Sequence, residues 1–153
     1  PLWLVRPRCI RYVRGASKAA LPAALRVLVG IRVYGRDACQ LACPWNRYAQ
    51  AAGEADFAVR NGLDDADLVA LFAWTQEEFE RRMEGSAIRR IGYARWLRNL
   101  AGGLGQANYD AAIVAALAAT CDDPAPMGRG HDGLGLLQAD PNAPRPGGQR
   151  PYE

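Results

Sequence analysis

Along the middle of the chain apolar residues recur with a helical period. Tyr93, Trp96, Leu97, Leu100 and Leu104 fall at i, i+3, i+4, i+7 and i+11, which places them on one face of a helix that packs into a core. Arg95, Arg98 and Asn99 stand at i, i+3 and i+4 on the opposite side, predicting a solvated face. Thr75 and Glu78 have capping-box spacing, so a helix should begin at Gln76, carry Phe79 and Met83 inward and stop at Gly85. Asp64 or Asp65 is placed to cap a helix bearing Leu68, Val69 and Phe72. Asp110 is placed to cap another with Ile113, Val114 and Leu117 inward. Nearer the start, Pro22 suits the first turn of a helix whose apolar positions are Leu21, Leu25, Val27 and Leu28, with Gly30 as its stop. The pattern is that of a mainly α chain.

Composition changes along the chain divide it. From Ala51 to Asp67 the sequence turns to Ala, Gly, Asp and Asn and reads as a linker into a second unit. Glycines at 128, 130, 133 and 135 argue against a helix after Pro126, because each costs about 1 kcal/mol in a helix interior. From Ala139 onward Pro and Gly dominate and a disordered tail is expected. The resulting division is residues 1–50, 51–138 and 139–153.

With 153 residues, half of them apolar, the chain can bury a core. It holds no run of 18 or more apolar residues and PLWLVRPR lacks the features of a signal peptide, so no membrane partner and a cytoplasmic location are expected. In that compartment four cysteines are read as reduced thiols or metal ligands. The opening Pro1 reads as the start of a fragment, to be completed by an upstream polypeptide. The net charge is +3, and Lys18 is the one basic residue that is not arginine. Between Arg81 and Arg98 six arginines face the single acid Glu84. A solvated charged face is the plainer reading of that run. With Tyr93 and Trp96 interleaved, it also suits phosphate contact, which makes Arg89, Arg90, Arg95 and Arg98 the candidate RNA-binding residues.

The candidate redox chemistry lies in Tyr34–Asn46, YGRDACQLACPWN. Bacterial ferredoxins hold cubane clusters with C-x2-C-x2-C-x3-C-P, and the last two positions stand here as Cys39 and Cys43-Pro44. The cysteine expected three residues before Cys39 is Arg36, which cannot serve as a thiolate ligand. Trp45 and Tyr48 could shield a cluster or pack in a core. Cys9, beside Ile10 and Tyr12, could be a small buried hydrophobe. Cys121 is read as a plain thiol, and His131 has no second ligand at metal spacing.

YGRDACQLACPWNRYA and GSAIRRIGYARWLRNLAGGLGQA together resemble the epoxyqueuosine reductases, whose patterns look like YGC-x2-CQ-x2-CPWNRFA and GSAIRRIGY…RN…ALGNA. The likeness runs from about Arg8 to Leu137 and is to the C-terminal part of that family. It implies a partial ferredoxin-like [4Fe–4S] segment followed by a HEAT-like helical domain, a reading that short paired helices also suit. It implies Cys9, Cys39 and Cys43 as cluster ligands. In the intact family it implies cobalamin chemistry on tRNA, with a cobalamin domain lying before Pro1. Where the family tends to have Ser, Thr and Glu after the first cysteine, this chain has Arg11, Arg14 and Ala16. The expected function is therefore part of a tRNA epoxyqueuosine reductase, inactive by itself. The alternatives are an iron-free RNA-binding helical module and a small iron–sulfur electron carrier.

Overall fold

A computed structural model of the chain describes residues 9–17, 19, 21–35, 38–55 and 58–119, with Cys39 described in its backbone alone. The described residues form helices and turns, with no strand among them. Six α-helices follow in order: α1 (Ala23–Val29), α2 (Ala38–Leu41), α3 (Leu68–Phe72), α4 (Gln76–Arg82), α5 (Tyr93–Leu104) and α6 (Ala111–Ala119). A π-helical turn at Tyr12–Ala16 precedes them, and 3-10 turns at Pro44–Tyr48 and Ala87–Ile91 lie between them.

The helix starts are set by short polar side chains. Thr75 Oγ1 accepts from the Glu78 N–H while Glu78 accepts from the Thr75 N–H, both at 3.2 Å, which closes the expected capping box. Asp110 Oδ1 accepts from the Ala112 N–H at 2.7 Å at the start of α6. The cap of α3 is Asp67, through Val69 N–H at 2.7 Å, and neither Asp64 nor Asp65. Asp67 wins because the residue next to the first helical position alone can reach the N2 amide. Helix α1 begins after Pro22 and ends at Gly30, whose φ of +59° is a backbone state that favours glycine.

Helix α5 is the hub. Trp96, Leu97, Leu100 and Leu104 are buried, as their spacing requires, and pack with Leu71, Phe72, Phe79, Met83, Ile91, Ile113 and Leu117 in one core. Its aromatic end is layered: Trp96 stacks on Trp74 at 6.0 Å and meets Phe79 at 5.6 Å, and the Tyr93 hydroxyl donates to the Trp74 carbonyl at 2.7 Å. A smaller core of Val13, Leu21 and Val29, backed by Ile10, Tyr12 and Leu25, covers the other side of the chain's first part. Thus α1 turns Leu25 and Val29 inward, while Val27 and Leu28 are exposed.

The two parts meet on the arginine side of α5, which the sequence pattern assigns to solvent. That expectation is corrected: Arg98 is 6% exposed and Asn99 1%. Close approach is possible because α5 carries Gly102 and Gly103 there. A Cβ on Gly102 would lie 3.3 Å from Leu21 Cδ2, and one on Gly103 3.3 Å from the Ile31 carbonyl oxygen. Among the described residues no helix is long and apolar enough to cross a membrane. Residues 120–153, with Cys121, His131, the glycine-rich stretch and the tail, lie outside the described residues, as does Arg36.

Candidate functional site

The two segments that carry the sequence signatures face each other. The Tyr34 hydroxyl donates to the Ala87 carbonyl at 3.3 Å, tying the start of the cysteine stretch to the 3-10 turn that holds Arg89 and Arg90. Residues of both segments and of the first helical turn line a cleft of about 540 Å³, within the range of small-ligand sites. It is lined by Cys9, Arg11, Gly15 and Ala16 from the first helical turn and by Tyr34, Gly35, Arg90 and Ile91 from the two signature segments. Arg95 donates to the carbonyl of the lining residue Gly15 at 3.1 Å.

Of the expected cluster ligands, Cys9 is half-buried on this cleft. Cys43 is half-buried where the backbone enters the 3-10 turn: its N–H donates to the Gln40 carbonyl at 2.9 Å, and its carbonyl accepts from Asn46 at 3.0 Å. Asn46 Nδ2 also donates to the Gln40 carbonyl. Cys39 lies in α2. Among the described residues no three His, Cys, Asp or Glu side chains gather as a metal site. The described donor set does not make up a cubane site. Trp45 and Tyr48 lie in neither core; they are 75% and 61% exposed and pair with each other at 5.8 Å.

The candidate RNA-binding arginines separate into two kinds. Arg89 and Arg90 are exposed in the last turn of Ala87–Ile91. Arg98 instead spends its donors inside the protein. Its Nη1 reaches the Ser17 and Ala19 carbonyls at 2.8 and 2.6 Å, and its Nη2 reaches Val13 and Arg14 carbonyls at 2.9 and 3.3 Å. Asn99 Oδ1 accepts from Arg98 Nε and Nη2, and Asn99 Nδ2 donates to the Arg14 carbonyl at 2.9 Å. The physical reason is the end of the Tyr12–Ala16 turn, whose last carbonyls have no partner within the helix and carry partial negative charge. A five-donor guanidinium caps several at once. Arg95, half-buried, makes a single version of the same contact.

Arg14 adds a second buried cation at 1% exposure. Its Nη1 donates to the Asn99 carbonyl at 2.6 Å, and its Nε has no partner among the described residues. Burial first, and the nearby Arg98 charge second, push Arg14 down from its ordinary value to about 10. It remains charged at neutral pH. Arg11 and Tyr34 as cleft walls, and Arg14 and Asn99 as a clamp, were not assigned from the sequence. The spacing of Arg11 two residues from Cys9 was the one available signal.

No protein-family model matches the chain. Among curated proteins it is similar to the epoxyqueuosine reductase of Burkholderia pseudomallei, 59% identical over 76% of this chain and 31% of that one. The enzyme of the same name from Pseudomonas aeruginosa is 49% identical over 86% and 36% of the two chains. This chain is homologous to one segment of epoxyqueuosine reductase. It spans about a third of the length of these relatives. A solved epoxyqueuosine reductase carrying an epoxyqueuosine-modified tRNA-Tyr stem loop superposes with a TM-score of 0.78 at 26% identity, over 88% of this chain and 36% of that one. A selenomethionine-labelled epoxyqueuosine reductase shares the fold, with a TM-score of 0.56 at 21% identity.

Proposed function

We propose that this chain is the C-terminal part of a tRNA epoxyqueuosine reductase, the part that helps to hold tRNA and to receive electrons. The observation that carries the reading is 59% identity to a reductase over 76% of this chain, combined with the TM-score of 0.78 to a reductase bound to a tRNA stem loop. In this reading residues 1–50 form a partial ferredoxin-like segment and 51–138 a HEAT-like helical domain. The intact enzyme reduces epoxyqueuosine to queuosine in tRNA in the cytoplasm, with [4Fe–4S] clusters and cobalamin supplying the electrons and the deoxygenation when bound. The cobalamin domain belongs to the two thirds of the relatives that this chain does not span.

Cys9, Cys39 and Cys43 are the cluster ligands this chain contributes, and Arg36 stands where a further thiolate is needed. Arg89 and Arg90, exposed and beside the cleft, are the RNA contacts, with Arg95 at the edge. Arg98 is assigned to the clamp on the first helical turn and leaves the set of RNA contacts.

The test is turnover of epoxyqueuosine-containing tRNA with cobalamin and a strong low-potential reductant. The chain alone should give no queuosine. A Burkholderia reductase truncated before the matching segment should regain activity when this chain, with Arg36→Cys, is fused in its place. Product from the chain alone, or a well-folded but inert fusion, would overturn the reading.

A further inference from the structure

The first part of the chain closes little of its apolar surface on itself. Among the described residues its core buries Val13, Leu21 and Val29, whereas the larger core around α5 runs from Leu71 to Leu117. Leu28, Ile31, Leu41, Trp45 and Tyr48 are each 60% exposed or more, and in residues 68–119 no large apolar side chain is that open. The backbone around Leu41 and the Pro44–Tyr48 turn is nevertheless held in place. The Cys43 N–H donates to the Gln40 carbonyl at 2.9 Å, and the Asn46 and Ala49 N–H groups donate to the Cys43 and Asn46 carbonyls at 3.0 Å. Pro44 fixes its own φ at the start of the turn. Yet the turn buries none of its side chains. It presents Trp45 at 75% exposure, Tyr48 paired with it at 5.8 Å, and Arg47 laid over the Tyr48 ring at 4.7 Å. Trp, Tyr and Arg are the residue types that carry most binding energy at protein interfaces. An unpaired RNA base would be met by aromatic platforms with free cations. Here Arg47 is engaged by Tyr48, and the open side chains of Leu28, Ile31 and Leu41 are aliphatic, which suits an apolar protein surface.

We propose that Leu41, Trp45 and Tyr48 form a docking surface for polypeptide, and that its occupant is the part of an epoxyqueuosine reductase that this chain does not span. The inference rests on the reading above and adds to it the surface by which the two parts hold together. The chain spans 31% and 36% of the two curated reductases, so each of them has further polypeptide with which to cover residues that lie open here. Cys43, half-buried between Leu41 and Trp45 in the chain, then stands at the joint of the two parts.

The experiment is hydroxyl-radical footprinting with mass-spectrometric readout on this chain, on its fusion to the truncated Burkholderia reductase, and on the intact Burkholderia reductase. Leu41, Trp45 and Tyr48, and the aligned positions of the intact enzyme, should be oxidised several-fold more slowly in the two long proteins than in the free chain. Trp45→Ser should leave the melting temperature of the free chain unchanged, because the turn buries nothing, and lower that of the fusion. Equal melting shifts in the two overturn the proposal. So do positions that are as open in the intact reductase as in the free chain, whether or not the fusion folds. Protection that the free chain acquires as its concentration rises makes the occupant a second copy, and protection by an anticodon stem loop makes it RNA; either result overturns the assignment. A fusion that is protected but yields no queuosine keeps the docking surface and removes the catalytic reading. An active fusion with Trp45 still open does the reverse.

Discussion

Two buried arginines, Arg98 and Arg14, differ in what their burial achieves. Arg98 donates to the Val13, Arg14, Ser17 and Ala19 carbonyls, so its charge sits in a cage of oxygens at a helix end. Replacing it by Met should cost about 3 kcal/mol, because buried carbonyls lose charge-assisted donors. Arg14 donates to the Asn99 and Gly30 carbonyls, leaves Nε orphaned and is repelled by Arg98. Its folded value near 10 lies below the unfolded one, so the charge opposes folding at all pH values below about 10 and eases only above it. Arg14→Met should therefore lie within about 1 kcal/mol of the parent, on either side. Urea midpoints of the two variants decide the matter, and equal losses would refute the distinction. None of this was legible in the sequence, since periodicity marks a polar face without saying whether solvent or carbonyls receive it.

At the scale of elements the Thr75 and Asp110 caps and the apolar stripe were readable, because each depends on residues within four positions, whereas the α3 cap fell on Asp67 and not on Asp64 or Asp65. Thr75–Glu78, Asp110 and the Trp96–Leu104 stripe are of this kind. What could not be read was that α5 is buried on two sides, since that depends on Leu21 and Ile31, seventy or more residues away in the chain. Gly102 and Gly103 record the contact. Alanine at either gains about 1 kcal/mol of helix propensity. At Gly103 the new Cβ would press on the Ile31 carbonyl oxygen at 3.3 Å, which is backbone and yields little. At Gly102 it would press on side-chain atoms of Leu21 and Arg14, which can move. Gly103→Ala should thus be net destabilising, by about 1 kcal/mol, and Gly102→Ala close to neutral. Thermal melts in which Gly103→Ala is the more stable of the two would contradict this packing.

For the whole molecule the question is where positive charge reaches solvent. The sequence places six arginines between Arg81 and Arg98, and a reading by charge alone treats them as one surface. Folding redistributes them. Arg98 is withdrawn into the clamp, Arg95 is held to Gly15, and Arg82 lies over the Trp74 ring at 4.6 Å and within 4.0 Å of Glu78. Arg81 is exposed on α4, and Arg89 and Arg90 are exposed side by side on one short turn next to the cleft. An RNA phosphate that pairs with each of them releases its condensed counterion, so the salt dependence of binding counts the contacts. Changing both to alanine should weaken stem-loop binding and lower the slope of log K against log salt by about 1 to 2. Stability should change by less than about 0.5 kcal/mol, because neither side chain is buried. Arg98→Ala should behave in the opposite way, lowering stability strongly while, in the fraction that stays folded, leaving the salt slope as it was. If instead Arg98→Ala flattens the slope and the Arg89/Arg90 pair does not, the RNA surface lies on α5 and the division between clamp and contact drawn from the structure fails.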